Sequence, residues 1–237
     1  MAPAKSFHVA IVGGGIAGVT LAIALHSRQI PVTIYEQAQA FGEVGAGVAF
    51  GPNALQAMEL CHHGIYEAFE KVRTTNLWPS KQKVWFDFYD GYESKKADGA
   101  GCAFSFSNGL GQNGVHRAHF LNELVKLIPK EIAQFNKQLE DIREKLDGKL
   151  KMTLTDGTSA EADVIIGCDG IKSRVRQVIL GKDHPSSHPS YTHKYAYRGL
   201  VPMEIAIHAI GAEKAQNACI WVGQPHFPSP SSTAHWS

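Results

Sequence analysis

The 237-residue sequence has no excess of charge of either sign: 23 lysines and arginines stand against 22 aspartates and glutamates, a formal net charge of +1. Its basic residues do not cluster, so it lacks the electrostatic footprint of a protein that binds nucleic acid or an anionic membrane. It also lacks an uninterrupted apolar run that could span a bilayer. The one apolar stretch near the N-terminus is broken by glycines and has neither the basic lead nor the small-residue cleavage site of a signal peptide. A cytoplasmic protein with no membrane partner is expected. Cysteine is scarce, and Cys61, Cys102, Cys168 and Cys219 show no C-x-x-C spacing. That excludes zinc-ribbon and thioredoxin-type readings and predicts small buried hydrophobes in a reducing compartment. Histidine is plentiful, but His184, His188 and His193 are separated by Pro185 and Pro189, with no cysteine or carboxylate between them, so a solvated loop rather than a metal site is expected there. What the chain does have is 44% apolar content, enough to bury a core in one large or two small domains.

Residues 7–25, FHVAIVGGGIAGVTLAIAL, read as a buried strand, a glycine turn and a helix in direct succession. Gly13 permits the tight turn out of the strand, Gly15 lets the backbone approach a pyrophosphate, and Gly18 lets the helix lie close on the sheet. The helix aims its unpaired N–H groups and the positive end of its dipole at the same spot, so two phosphates are met without any side-chain charge. Residues 30–35, IPVTIY, form the next strand, and Glu36 at its end can accept both hydroxyls of a ribose. A structural turn without a phosphate is the alternative, and the order of strand, helix and acid weighs against it. A carboxylate at Glu36 would repel a 2′-phosphate, so the nucleotide held there is FAD or NAD rather than NADP.

Downstream, residues 41–53 are dense in glycine and small residues, and a helix is expected from Pro52 or Asn53. Residues 83–89 are aromatic and β-branched and read as a strand closed by Asp90-Gly91, and residues 102–107 alternate as a second strand, together suggesting a sheet outside the nucleotide unit. Residues 107–114 are a loop by composition. Residues 115–124 read as a short strand running into an amphipathic helix, with Phe120, Leu121, Leu124, Leu127 and Ile128 on one side. Ile132, Phe135, Leu139, Ile142 and Leu146 recur every three or four positions, a helical spacing. Residues 149–158 alternate and end in an Asp-Gly hairpin turn. Residues 162–167 form a near-continuous apolar strand that runs into Gly167-Cys168-Asp169-Gly170.

The order GGGIAG, then YE, then FGEVGAGVAFGPNALQAM resembles the N-terminal part of the class A flavoprotein monooxygenases, the salicylate hydroxylase-like aromatic hydroxylases that use FAD. The resemblance implies an α/β fold: a Rossmann-like FAD-binding domain (residues 1–75 and 110–182), an interleaved, incomplete, mainly-β substrate domain (76–109 and 183–223), and an irregular tail (224–237). It places Glu36 on the adenosine ribose and Ala49, with its neighbours, along the FAD. HRAHFLNEL is similar to the family segment whose arginine contacts FAD, which implies Arg117 as a cofactor ligand. From physics alone a guanidinium at a helix start is favoured only beside a phosphate, and a surface ion pair is the alternative. DVIIGCDGIKSRVR is similar to the family's second fingerprint, D-x-x-x-G-A-D-G-x-x-S-x-V-R, with Cys168 where alanine is usual. By that match Asp169 serves FAD indirectly and helps a transient nicotinamide cofactor. YRGLVP resembles the first strand of the family's substrate domain, which makes Arg198 the catalytic candidate, able to hold a phenolate or carboxylate. Its alternative is an ion pair on a sheet face. For residues 132–147 the family pattern expects a strand, a short link and a hairpin, and it is followed here over the helical spacing.

The activity the resemblance implies is hydroxylation of a small phenol- or salicylate-like substrate with NAD(P)H and O2. Only one nucleotide fingerprint is present, so NAD(P)H would bind transiently in a cleft. Another flavin-dependent oxidoreductase, and a noncatalytic remnant, are the alternatives. After residue 223 the family continues into more sheet and a G-D-A-A-H motif, whereas this sequence gives QPHFPSPSSTAHWS. The expectation drawn from that departure is a truncated form with open sheet edges and impaired FAD retention.

Overall fold

The computed structural model describes residues 7–42, 47–91, 101–195, 197 and 199–223. The elements open with β1 (Val9–Val12), α1 (Ile16–Ser27), β2 (Val32–Tyr35), β3 (Gly47–Ala49), α2 (Pro52–Cys61) and α3 (His63–Val72). Then come β4 (Val84–Asp90), β5 (Cys102–Ser107), β6 (Gly114–His116), α4 (Arg117–Leu124), β7 (Ala133–Gln134) and β8 (Leu139–Glu144). The chain continues through β9 (Leu150–Leu154), β10 (Ser159–Ala162), β11 (Val164–Gly167), α5 (Arg174–Leu180), α6 (Met203–Ile210), α7 (Ala212–Ala215) and β12 (Cys219–Val222). They fall into two compact units, residues 1–73 with 114–198 and residues 74–113 with 199–237.

The first unit is built on a parallel sheet in the order β11-β1-β2-β7. Central β1 has all four residues buried because both of its faces are covered. Val9 and Ile11 join Val19, Ala22 and Ile23 of α1 and a helical layer that includes Phe69 of α3 and Phe120 of α4. Ala10 and Val12 point the other way, into a smaller cluster with Leu139, Met152 and Leu154 of the antiparallel sheet β10-β9-β8. Period-2 alternation in β1 thus feeds two cores, and each fully buried aliphatic or aromatic side chain contributes about 1.5–3 kcal/mol. In the helical layer Phe50, Phe69 and Phe120 meet edge to face, with centroids 5.6–6.0 Å apart.

Two helices of this layer end on one guanidinium. Arg28, just past α1, donates from Nη1 to Ala24 O (2.8 Å) and Cys61 O (3.0 Å) and from Nη2 to Leu60 O (3.4 Å). It supplies donors and positive charge to the carbonyl ends of both α1 and α2. Arg28→Ala is therefore expected to lower stability by about 1 kcal/mol, a fall of about 2–4 °C in Tm by thermal melting, and Arg28→Lys to recover only part of it.

Residues 132–147 follow the strand-and-link expectation instead of the helical spacing. Ala133 and Gln134 pair with β2, Asn136 turns the chain at φ 58°, and β8 begins at Leu139. The apolar positions that spell a helix are shared among different partners: Phe135 packs edge-on to Phe41, Leu139 enters the second cluster, and Leu146 is fully exposed in a turn. The hairpin of β9 and β10 turns at Asp156-Gly157, with Gly157 at φ 81° as this turn requires. Residues 183–198, placed with the second domain by sequence, group with the first unit. The buried Ser187 hydroxyl donates to Gly181 O and Arg176 Nε donates to Ser187 O, tying this stretch to the end of α5.

In the second unit β4 is central, antiparallel to β5 and parallel to β12. Buried Asn76 organises it: its Nδ2 donates to Lys81 O and Val84 O, both at 2.9 Å, and its Oδ1 accepts from Ala218 N at 2.8 Å. Asp87 of β4 is 1% exposed and accepts from Lys81 Nζ (2.6 Å) and Ser105 Oγ (2.5 Å). Burial pushes its carboxyl up, but the bonds from Lys81 and Ser105 outweigh that and hold it below the usual carboxylate range. A carboxyl whose pKa is depressed by folding contributes stability above its unfolded value, near pH 4, and loses it as pH falls through the folded value. Acid titration followed by tryptophan fluorescence should show the second unit losing stability below about pH 4, and Asp87→Asn should abolish that dependence.

Two sequence expectations are corrected here. The described residues of 191–201 are exposed and none lies in a strand, because an extended segment without a partner strand cannot build a ladder. The chain instead enters α6 after Pro202, with Glu204 in the first turn and Gly211 at its C-terminal end, signals that sequence reading passed over. The cysteines are also more open than expected: Cys102 is exposed and Cys61, Cys168 and Cys219 are half-buried. Cys102 lies on β5, every residue of which is exposed. The tail at 224–237 lies outside the described residues.

Candidate functional site

The first unit carries a cleft of about 870 Å³ where the carboxyl ends of β1, β2 and β11 meet the start of α1. This is the position at which open parallel sheets bind their ligands. Gly13, Gly15, Glu36, Arg117 and Asp169 all line it, so five of the eight sequence-chosen residues converge on one space.

The turn between β1 and α1 depends on its glycines. Gly13 sits at φ 107°, and a Cβ there would lie 2.4 Å from Cys168 O, so the turn can press against β11 only without a side chain. Gly18 lies behind the cleft on the first turn of α1, where a Cβ would be 2.0 Å from Gly13 O. Gly15 is the N-cap of α1, which has neither a side-chain cap nor an acidic residue in its first turn. Val19 N is bonded to Gly15 O, which leaves the amides of Ile16, Ala17 and Gly18 as the donors at the end of the helix. A 12-residue helix with an uncapped N-terminus facing a cleft fits a diphosphate.

Glu36 is held before any ligand arrives. Its Oε2 accepts from Gly14 N at 2.6 Å and its Oε1 from Ala38 N at 2.8 Å. A carboxylate has about four acceptor positions, so two remain for a vicinal diol. Sequence reading missed Gly14, the middle glycine. A Cβ there would lie 3.0 Å from Phe41 Cε1 and 3.1 Å from Glu36 Oε2, so its lack of a side chain lets the carboxylate close onto the turn.

On the β11 side, the Asp169 carboxylate is occupied within the chain. It accepts from Ser173 Oγ (2.6 Å), Arg174 N (2.5 Å) and Val175 N (3.1 Å), while Ser173 Oγ accepts from Arg176 N (3.0 Å). These bonds cap α5 and fix the Gly170 turn, at φ 75°, on the wall of the cleft. Burial, and then the neighbouring Asp169 charge, push the Cys168 thiol up. Arg117 opens α4 directly after β6 and lines the cleft. Ala49 itself does not: it is exposed and pairs with Gly114, while its neighbours Gly47, Val48 and Phe50 form that part of the wall. Arg198 lies outside the described residues.

Lys137, Lys172 and Arg174 also line the cleft, which brings four cations together with the two carboxylates of Glu36 and Asp169. A net positive wall suits a doubly charged diphosphate. Lys172 and Arg174 stand inside the second fingerprint, but only the fold shows that they line the cleft, with Arg174 donating from Nε to Glu140 O (2.6 Å) and from Nη1 to Gln177 Oε1 (3.0 Å). His184 Nδ1 accepts from Ser186 N, and His188 Nε2 is 3.0 Å from Lys182 O. Among the described residues no helix is long and apolar enough to cross a membrane, and no three His, Cys, Asp or Glu side chains gather as a metal-binding group.

Comparison with known proteins agrees with this geometry. The chain is 47% identical over 220 residues to the FAD-dependent monooxygenase pigN of Monascus ruber, covering 91% of this chain and 49% of that protein. It is 48% identical over 219 residues to 6-methylsalicylate 1-monooxygenase atA of Aspergillus terreus, covering 91% and 48%. A solved salicylate hydroxylase substrate complex superposes with a TM-score of 0.72 at 31% identity, over 91% of this chain and 50% of that one. The chain thus spans about half the length of the curated relatives it matches. The family described as FAD binding domain matches residues 6–226, and with the uncapped α1, the glycine turn and the pre-held Glu36 in one cleft, the chain belongs to that FAD-binding family.

Proposed function

We propose that this chain holds FAD for a monooxygenase that hydroxylates a small aromatic, salicylate-like substrate with NAD(P)H and O2. The observation that carries the reading is the preformed cradle: donors at the start of α1, a glycine turn closed against β11, and the Glu36 carboxylate locked by Gly14 and Ala38. The names of its relatives supply the reaction class.

In this reading the amides at the start of α1 bind the pyrophosphate, Glu36 takes the adenosine ribose, and Arg117, with the wall formed by Val48 and Phe50, borders the cofactor further along. When bound, FAD would supply two electrons taken from NAD(P)H to activate O2, one oxygen atom of which would pass to an electron-rich ring while the other leaves as water. Asp169 acts through α5, keeping the Gly170 turn and the cations Lys172 and Arg174 at the cleft wall, where a transient nicotinamide dinucleotide also needs positive charge. Arg198 is kept as the residue that holds the substrate's phenolate or carboxylate.

The test is a visible spectrum of the purified chain after incubation with FAD and desalting, followed by oxygen-dependent NAD(P)H consumption with a panel of salicylates and phenols. Retained flavin and ring-dependent NAD(P)H oxidation support the proposal. Retained flavin with oxidation no faster than free FAD would reduce the chain to a cofactor-binding module. Oxidation without oxygen insertion would mark it as another flavin-dependent oxidoreductase. Flavin lost on desalting but bound in a titration fits the impaired retention expected from the sequence, whereas no binding even at saturating FAD would remove the basis of the reading.

A further inference from the structure

Among the described residues of the cleft wall, Lys137 is the one cation that no sequence motif contains, and the fold secures it from two directions. The link between β7 and β8 is zipped to the end of β2: Glu36 N donates to Gln134 O (2.9 Å), Asn136 N to Ala38 O (2.9 Å) and Lys137 N to Glu36 O (2.8 Å). Lys137 is thereby fixed beside the residue that takes the ribose. Its side chain, 21% exposed, reaches the turn of the β9–β10 hairpin, where Nζ donates to Asp156 Oδ2 (2.6 Å) and Thr158 Oγ1 (2.9 Å). The hairpin is set to receive it, since Thr158 donates to Asp156 Oδ1 from both N (3.0 Å) and Oγ1 (2.6 Å).

An ammonium has three donors and the hairpin takes two, leaving one for an acceptor in the cleft that Lys137 lines together with Glu36 and Gln37. This end of the cleft also has an electrostatic need. Seating an adenosine diphosphate against Glu36 brings phosphate charge toward a carboxylate, and a cation already immobilised by other bonds offsets that repulsion at small entropic cost.

We infer that Lys137 binds the adenosine end of the dinucleotide and that Asp156 and Thr158 of the β9–β10 hairpin position it; the inference rests on the cleft being the FAD site. The hairpin then shapes cofactor affinity while touching the cofactor only through Lys137.

The test is titration of the 237-residue chain with FAD, by quenching of flavin fluorescence, and with ADP, by calorimetry, for wild type, Lys137→Met, Lys137→Arg, Asp156→Asn, the Lys137→Met/Asp156→Asn double variant and Glu36→Ala. Lys137→Met should weaken FAD and ADP by the same factor, about tenfold, as expected for one charge-assisted hydrogen bond to the half the two ligands share. Lys137→Arg should retain most of the affinity. Asp156→Asn should lose part of it, and the double variant should be no weaker than Lys137→Met alone, because Asp156 acts only through the lysine. Should Lys137→Met not fold, Asp156→Asn, which keeps the ammonium, carries the same comparison. A lower Tm with unchanged FAD and ADP affinity would make the lysine a mere tether and overturn the inference, while weakened binding by Glu36→Ala keeps the cleft assignment. Unchanged affinity in Lys137→Met and Glu36→Ala alike would remove both.

Discussion

Gly18→Ala is expected to cost the chain on the order of 3 kcal/mol of stability and to weaken FAD binding on the order of a hundredfold, although alanine is the better helix former by about 1 kcal/mol. The added methyl would lie 2.0 Å from Gly13 O and 3.1 Å from Gly13 C, with Ile11 Cγ2 at 3.3 Å behind it. Two of these are backbone atoms, so no rotamer change can relieve the overlap. Either α1 backs away from the sheet or the turn opens. Retreat of the helix draws Val19, Ala22 and Ile23 out of the main core, and opening of the turn displaces the amides that would face a diphosphate. A hydrogen bond stretched by about 1 Å is effectively lost, and those to charged groups are worth about 1.5–3 kcal/mol each. Thermal melts and FAD titrations on the same preparation measure both effects. Unchanged values for both would mean that the turn does not hold the cofactor as described.

Glu36→Ala has the second large effect, and it is felt even without ligand. Removal of the carboxylate strips Gly14 N and Ala38 N of their acceptors and unlocks the turn from the end of β2. Water can reach the exposed Ala38 amide, but Gly14 lies beneath the Phe41 ring and is buried. The folded state should lose about 1–3 kcal/mol, and the loss of ribose contacts should bring the fall in FAD affinity to about a hundredfold. Glu36→Gln keeps one good acceptor and should lie between. If Glu36→Ala melted lower yet bound FAD as tightly as wild type, the carboxylate would be only a structural clasp.

The parts of this molecule legible in its sequence are those fixed by neighbours in the chain. GGGIAG followed by a second strand and an acid is a local pattern. So are Asp156-Gly157 in its hairpin, Gly51-Pro52 at the start of α2, and the apolar run that becomes β11. What was not legible depends on residues brought together by tertiary structure. Gly14 binds Glu36 across 22 positions, and Lys137 meets Asp156 across 19. Asp169 is picked out by the second fingerprint, but only the fold shows that its carboxylate accepts from Ser173, Arg174 and Val175 at the start of α5. The helical spacing of Ile132, Phe135, Leu139, Ile142 and Leu146 misled for a related reason: period alone does not say that the five face one partner. Asn136 in the left-handed region separates the first two from the rest. The resemblance carried the correct reading of that segment because it encoded the fold's long-range pairing of β7 with β2.

The central claim is that backbone amides at the start of α1, together with the Glu36 clasp, grip the adenosine diphosphate of FAD. Hydrogen–deuterium exchange with and without saturating FAD tests it most directly. The account predicts that slowed exchange on FAD addition concentrates in residues 14–18 and 36–38, with a lesser effect at 168–170 across the turn. Flavin binding that leaves residues 14–18 exchanging at their ligand-free rate, with protection appearing elsewhere in the chain, would contradict it.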